Sequence, residues 1–337
     1  MKYLVFPFLL FLLSACNSSP KDALVSLELS GGFWSQFTSA KGESRFPENQ
    51  IDSTAFMKML AESFDASGNL IWGQLDASCD DCCQIRSSLE SIFLLSQETR
   101  EGFFMDVYER ILYNRFLQLN CQARYPPAEF VPQHAIDWQD SILYLRHPVS
   151  GKAALSIGGE RVQLVVETAY PWEGRVHIKL NTPETMRFPI AIRIPGWAQN
   201  RPVPISTISY AFRSNRKLVL SVNEDYVFPE MKGNYAILRQ EWHDGDIILL
   251  DMPLSPRKLR LAASDQLIIE RGPIVFAPEE GTLTVGAYLR PMTRLIFTQE
   301  DSPHIRVEQD QKSMIFQPYF RVSGENLPLS LPDHAPE

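Results

Sequence analysis

After its first sixteen residues the sequence has no apolar run approaching the roughly 20 residues that a membrane-spanning helix needs. Any hold on a bilayer therefore has to come from the N-terminus. Positive charge is also in short supply. The 32 lysines and arginines are outnumbered by 40 aspartates and glutamates, for a net charge of −8. That balance argues against a surface that tracks phosphates and sets nucleic acid aside as a partner. There is no internal repeat and no low-complexity tract, which excludes a stacked-repeat architecture. Cysteine is scarce, five in 337 residues, yet three of the five fall in CDDCC at 79–83. The rest is an ordinary globular composition, 45% hydrophobic and 21% charged. It is sufficient for a substantial core, and the length is a prior for two or three domains.

The first residues, MKYLVFPFLLFLLSAC, carry one lysine, an apolar stretch and a small-residue exit. This is the pattern of an export signal. Leu13-Ser14-Ala15-Cys16 resembles a bacterial lipoprotein lipobox, which implies cleavage before Cys16 and a diacylglycerol on its sulfur. The alternative is an ordinary secretory signal with a coincidental cysteine. Asn17 stands where an inner-membrane retention signal would have aspartate, so a cell with two membranes would hold the protein at the outer one. The polar NSSPKDA that follows is read as a tether.

Periodicity changes once, near residue 140. Before it the signals are helical: Ile85, Leu89, Ile92, Phe93 and Ser96 share one face, and Phe104, Val107, Tyr108, Ile111, Leu112 and Leu119 another. A weaker helix is expected over Ser53 to Phe64, and the proline-rich 123–139 is read as a loop. After it the period is two, as in Val162/Leu164/Val166, Val176/Ile178/Leu180, Phe188/Ile190/Ile192/Ile194 and Leu218/Leu220/Val222. Short alternating runs bounded by turns such as His243-Asp244-Gly245-Asp246 indicate antiparallel sandwiches. The fold class is α+β, mostly β. The expected organisation is a signal over 1–16, a helical domain over 17–140 with an edge strand at 24–29, one sandwich over 141–258 and a second over 259–337.

CDDCC admits three readings. Cys79-x-x-Cys82 has zinc-ligand spacing, with Asp81, Cys83 and Cys121 to complete a site. An exported chain with four cysteines besides Cys16 also suits disulfides. The third reading is a helix start capped by Asp80 or Asp81, with the thiols packed. His134 and His147 stand alone in the sequence and are read as surface or loop residues. Trp172 and Trp197 either close sandwich turns or stack on sugar.

Four strings, TAYPWEGRVHIKL (168–180), FPIAIRIPGWA (188–198), YAILRQEWHDGDIILLDMPLSPR (235–257) and ERGPIVFAPE (270–279), resemble in order and spacing the C-terminal half of glycoside hydrolase family 127. EGFFMDVYERILYN (101–114) resembles that family's helix with a Tyr-Ala-Asp…Glu-Arg…Tyr-Asn pattern, and GGFWSQ (31–36) its opening segment. The resemblance implies an (α/α)6 barrel followed by β-sandwiches and a β-L-arabinofuranosidase chemistry on plant glycans. In that chemistry a zinc-bound cysteine attacks the anomeric carbon, metal coordination making the thiol a thiolate, and a glutamate protonates the leaving oxygen. Carried onto this chain, Asp81 would stand for the glutamate of the family's Glu-x-Cys zinc pair and Cys83 for its cysteine, with Cys79 and Cys82 nearby. Asp65 falls roughly where the acid would be. The nucleophile's Cys-Cys pair has no counterpart, because the interval from Asn120 to Asp140 holds Cys121 alone. Trp34 to Cys79 is too short for several helix pairs at roughly 30 residues each. The expectation is a barrel remnant of two to three helices on a family-127-type protein with impaired catalysis, Cys83 and Asp65 being its weak catalytic candidates. The alternative is a non-catalytic surface lipoprotein that binds glycan or protein.

Overall fold

The computed structural model describes residues 23–30, 33, 81–202, 208–261, 266–279, 287–299, 302–322 and 331–334. Cys16 and its tether, the expected helix at 53–64, Asp65 and Cys79 lie outside the described residues.

Two helices form where the 3.6-residue stripes are. Helix α1 (Asp81–Thr99) buries Ile85, Leu89, Ile92, Phe93 and Ser96, the whole of its expected face. It ends as Arg100 turns left-handed at φ +58°, the usual way for a chain to leave a helix. Gly102 then hands its N–H to the Gly233 carbonyl at 2.6 Å, and a side chain there would meet that oxygen and Arg193 at about 3 Å. Helix α2 (Phe103–Arg110) continues into a wider, π-helical turn over Ile111–Phe116. Every residue of α2 after Phe103 is buried, polar ones included. The proline-rich stretch contains short helical turns, at Pro127–Phe130 and Pro132–His134. It closes on a strand at Ile136–Gln139 that the loop reading did not include.

The strands are, in chain order, β1 (Ala23–Leu29), β2 (Ile136–Gln139), β3 (Ile142–Leu145), β4 (Gly151–Ile157), β5 (Glu160–Thr168), β6 (Arg175–Asn181) and β7 (Met186–Arg193). There follow β8 (Ile208–Tyr210), β9 (Val219–Val222), β10 (Asp225–Tyr226), β11 (Glu230–Lys232), β12 (Tyr235–Trp242), β13 (Ile247–Asp251) and β14 (Pro256–Leu261). The last are β15 (Gln266–Arg271), β16 (Ile274–Pro278), β17 (Leu295–Thr298), β18 (His304–Gln309), β19 (Lys312–Pro318) and β20 (Leu331–Pro332).

Among the described residues they build three sheets. The first runs β1-β4-β5-β6-β13-β9-β10, with the expected early strand at its edge against β4. The second runs β11-β12-β7-β3-β2, with β3 parallel to β7 and the other pairs antiparallel. Alternation decides which side chains face inward. Leu164, Val166, Ile178, Leu180, Ile248 and Leu250 of the first sheet share one core with Phe188, Ile190, Ile192, Leu238 and Trp242 of the second. The third sheet runs β17-β18-β19-β16-β15-β14-β8, with β20 beside β15. It is buried on both faces: Leu267, Ile269, Ile274 and Phe276 join the main core, while Ile268, Val275 and Ala277 turn to a second cluster with Leu259. Strand β8 comes from within 141–258 but pairs with β14 in this sheet, and β14 itself crosses the expected 258/259 boundary. The two β units are thus laced together by the chain. Among the described residues no helix is long and apolar enough to cross a membrane.

Trp242 ties the second sheet to the core. It has no solvent exposure, and its indole N–H donates to the Phe188 carbonyl at 2.8 Å. Truncation there leaves a large cavity and an unsatisfied carbonyl, so Trp242→Ala is expected to lower unfolding free energy by about 3–5 kcal/mol. Urea titration followed by far-ultraviolet circular dichroism measures this, and a loss below about 1 kcal/mol would contradict the assignment.

Candidate functional site

The densest set of titratable side chains lies where α2 meets the β units, and the helix motif 101–114 supplies half of it. Arg193, at the end of β7, places Nη1 2.5 Å from Asp106 Oδ1 and Nη2 against Glu109 Oε1. Asp106 Oδ2 accepts the Gly196 N–H at 3.0 Å. Glu109 is closed on every side: His147 Nδ1 is 2.8 Å from Oε1, and the Tyr170 hydroxyl donates to Oε2 at 2.9 Å. Because a carboxylate can only accept, neutral His147 carries its proton on Nδ1 and leaves Nε2, 3.2 Å from the Tyr113 hydroxyl, to accept. The next residue, Arg110, pairs with Glu270 of β15. Asn114 spans to the Pro273 carbonyl at 2.8 Å and the Val275 N–H at 2.7 Å. The wider turn over Ile111–Phe116 carries both Tyr113 and Asn114.

A second, smaller relay joins α1 to the same helix. Glu90 Oε2 lies 3.1 Å from His134 Nε2, and His134 Nδ1 lies 2.8 Å from the Tyr108 hydroxyl. His134 and His147 are therefore buried network members, which corrects their reading as surface residues. Their polar partners come from helices remote in sequence, so the sequence alone showed each of them unpartnered.

The electrostatics follow from one arginine serving two acids. Burial alone would raise Glu109, but Arg193 and His147 hold its carboxyl below the usual range. Asp106 is left with the weaker share, and burial pushes it up to about 7 despite Arg193 and the Gly196 N–H. Burial also lowers both histidines, outweighing the pull of Glu90 on His134 and of Glu109 on His147. The seam is closed to solvent: Glu109 and Arg193 are at most 3% exposed and Asp106 8%. A general acid has to reach its substrate, so this cluster docks the helix onto the sheets and does not face a reaction.

The cysteines settle differently from a metal site. Cys82, in the first turn of α1, is bonded to Cys121, and Cys83 is disulfide-bonded as well. Zinc binds thiolate, and sulfurs held in disulfides do not supply it, so Cys82 and Cys83 as they stand do not fit zinc. Among the described residues no group of three or more histidine, cysteine, aspartate or glutamate side chains is placed to hold a metal. Asp81 is exposed at the helix start, where its charge suits the helix dipole. The bond does bring together the two stretches, CDDCC and the one after α2, between which the resemblance divides the metal ligands and the nucleophile.

The tryptophans part company. Trp197 is 9% exposed and its ring lies parallel to that of Tyr170, 6.4 Å away, so it belongs to the core and offers no face to a sugar. Trp172 is half-buried. Phe33 and Phe320 stand against it at 6.0 and 6.3 Å, and it lines a cavity of about 790 Å³ with Arg216, Asp251, Arg271 and Phe297. Arg271 belongs to the ERGPIVFAPE string, yet neither its charge nor its position marked it as a site residue.

Residues 142–254 match the family described as beta-L-arabinofuranosidase, GH127 middle domain. Among solved structures the chain is similar to a GH127 beta-arabinofuranosidase, at 20% identity and a TM-score of 0.65 over 74% of this chain and 49% of that one. It is also similar to a GH127 beta-L-arabinofuranosidase from Geobacillus stearothermophilus T6, at 17% identity and a TM-score of 0.57 over 71% and 47%. A third, described as a glycoside hydrolase, gives 18% and 0.59 over 74% and 52%. No curated protein matches. The resemblance carried by the motifs is shown in this middle domain and in the fold, and the chain is GH127-like. It spans about half the length of the solved structures it matches.

The buried cluster has a pH signature. The unfolded chain protonates its histidines near 6.5, whereas folded His134 and His147 resist protonation, so acidification through 6.5 favours unfolding. Asp106 acts in the opposite sense: its proton binds near 7 when folded and near 3.8 when unfolded, so its contribution to stability grows as pH falls through 7. Asp106→Asn is therefore expected to lose more stability between pH 7 and pH 5 than the parent protein. Melting temperatures across that range decide it, and parallel profiles would contradict the assignment of the proton to Asp106.

Proposed function

We propose that this GH127-type chain takes part in plant glycan degradation as an exported, lipid-anchored glycan-binding protein, with the cysteine-based hydrolysis of the family impaired. The observation that carries the reading is the Cys82–Cys121 disulfide, together with the bonded state of Cys83. Hydrolysis through sulfur requires a free thiolate beside an acid, and both thiols at the helix start are consumed. The carboxylate that meets His147 at the seam, Glu109, is saturated by Arg193, His147 and Tyr170 and has no open side. What the β units retain is a large cavity with an indole in its wall, the kind of surface on which sugar rings stack. Anchoring through Cys16, at the outer membrane of a two-membrane cell, fits with the disulfides, which persist in oxidising compartments.

The test is turnover of an aryl β-L-arabinofuranoside by the exported protein, with zinc analysis and thiol counting on the same sample. The expected result is no hydrolysis, no stoichiometric zinc and no titratable thiol at Cys82, Cys83 or Cys121. Zinc at one equivalent with activity abolished in Cys83→Ser would overturn it. For the binding half, retardation in plant-polysaccharide affinity gels is expected to weaken several-fold in Trp172→Ala, while the buried Trp197 is expected to affect stability instead. Retardation unchanged by Trp172→Ala would remove this cavity from the reading.

A further inference from the structure

The cavity beside Trp172 contains a charge that the protein does not neutralise. Arg271, the last residue of β15, is 8% exposed, and its Nε and Nη1 are buried with no hydrogen-bond partner among the described residues. Its guanidinium lies over the ring of Phe297, 3.8 Å from the centroid. That contact satisfies the flat face of the cation but none of its N–H groups, which all lie in the guanidinium plane. Burying a guanidinium without an acceptor is costly. Arg110 and Arg193 also keep one buried nitrogen each without a hydrogen bond, Nε and Nη2, but their charge is met, Arg110 by Glu270 and Arg193 by Asp106 and Glu109.

The rest of the wall has the same sign. Arg175, Arg216 and Lys217 line the cavity with Arg271, against Glu173 and Asp251. Asp251 is already taken by Arg175 at 2.9 Å. Glu173 is exposed and acts on Arg271 through its field without an ion pair between them. Arg216 also lines a neighbouring cavity of about 660 Å³, whose wall includes Arg213, Arg257 and Lys258 and has no acidic residue. A band of positive charge thus crosses two adjoining cavities on a protein whose net charge is −8.

We propose that the cavity formed by Trp172, Arg271 and Arg216 binds the carboxylate of a uronic acid unit in an acidic glycan. The inference rests on the glycan-binding reading above and narrows it to one class of sugar. A sugar carboxylate can take two guanidinium N–H groups at once as short, charge-assisted bonds. It supplies the counter-charge that Arg271 lacks, while the pyranose ring has the indole of Trp172 to lie against. Arg216, shared by the two cavities, extends the track to a second acidic unit. Burial pushes Arg271 down to about 10, so it remains charged at neutral pH and the attraction is present under working conditions.

The test is calorimetric titration of the full-length protein with trigalacturonate and with the same trisaccharide methyl-esterified. Esterification removes the charge and leaves the ring intact. The acid is expected to bind at least ten-fold more tightly than the ester, and to weaken as salt rises. Arg271→Gln is expected to remove that preference, Arg271→Lys to restore part of it, and exposed Arg216→Gln to weaken the acid two- to five-fold without loss of fold. Glu173→Gln is expected to tighten it. Equal affinity for acid and ester overturns the inference and leaves the glycan reading standing. Binding of neutral polysaccharides with no binding of trigalacturonate also overturns it alone, and failure with every glycan overturns both. If Arg271→Gln does not fold, the comparison of acid with ester on the unaltered protein still decides.

Discussion

Arg193 is the side chain on which the joining of helix to sheet depends. It is a fully buried cation at the end of a central strand, and its two carboxylate partners both come from one face of α2. In a low-dielectric interior a lone guanidinium, or a lone pair of acids, is costly to bury. The helix can therefore dock in one register, with Asp106 and Glu109 one turn apart on either side of the cation and Arg110 turned toward Glu270. Apolar packing around this seam supplies most of the stabilisation, since Met105, Tyr108, Ile111 and Leu112 are fully buried there. The charges add direction to it. One arginine cannot compensate two carboxylates, and that shortfall sets the divergent proton affinities of Asp106 and Glu109.

The disulfide does for α1 what Arg193 does for α2. Cys82 and Cys121 are 39 residues apart, and closing that loop disfavours the unfolded chain by about 4 kcal/mol in the chain-entropy account. The start of α1 is thereby tied to the end of the α2 run, with Glu90, His134 and Tyr108 bridging the middle. A helical segment of this size has a small core of its own, and two helices tied to each other by a disulfide and to the sheets by ion pairs need fewer neighbours to be stable. Sulfur employed in this way is structural. The same residues cannot at once be thiolates on a metal, so the stability of the helical part and sulfur-based chemistry compete for one set of atoms.

Much of the architecture was legible before any coordinates, and the reasons are local. The stripe Ile85–Ser96 and the alternation in β5, β6 and β7 each reflect one residue's distance from the next, which sequence records directly. The early strand at 24–29 was legible for the same reason. The seam was not, because its partners are 87 residues apart in Asp106 and Arg193 and 160 apart in Arg110 and Glu270. Charged residues at helical spacing look the same whether they face water or a buried partner. His134 and His147 were misread for this reason. Trp197 sits in the turn after β7, one of the two readings open to it, and its stacking on Tyr170 depends on the path of the loop between β5 and β6. Strand β8 shows the limit at the level of topology: three residues at 208–210 join a sheet otherwise made of later segments, and a boundary drawn at 258 could not anticipate that.

The seam and the cavity place opposite demands on arginine. At the seam, buried guanidinium groups meet carboxylates fixed within the chain, and the result is rigid and closed to solvent. At Arg271 the surrounding elements bury the cation nearly as well, leaving Nε and Nη1 without a hydrogen bond, and the residue lines a cavity. A chain that gives Arg110 and Arg193 acidic partners, with acids in surplus overall, leaves Arg271 without an ion pair among the described residues, in a wall where Arg216 and Lys217 stand beside it. Glu173 is in that wall as well, and its carboxylate makes no ion pair with Arg271. An internal partner would have made Arg271 another structural tie. In the binding proposed above, the partner arrives from solution at the β units, away from the disulfide-closed helix start where sulfur chemistry would have been sought.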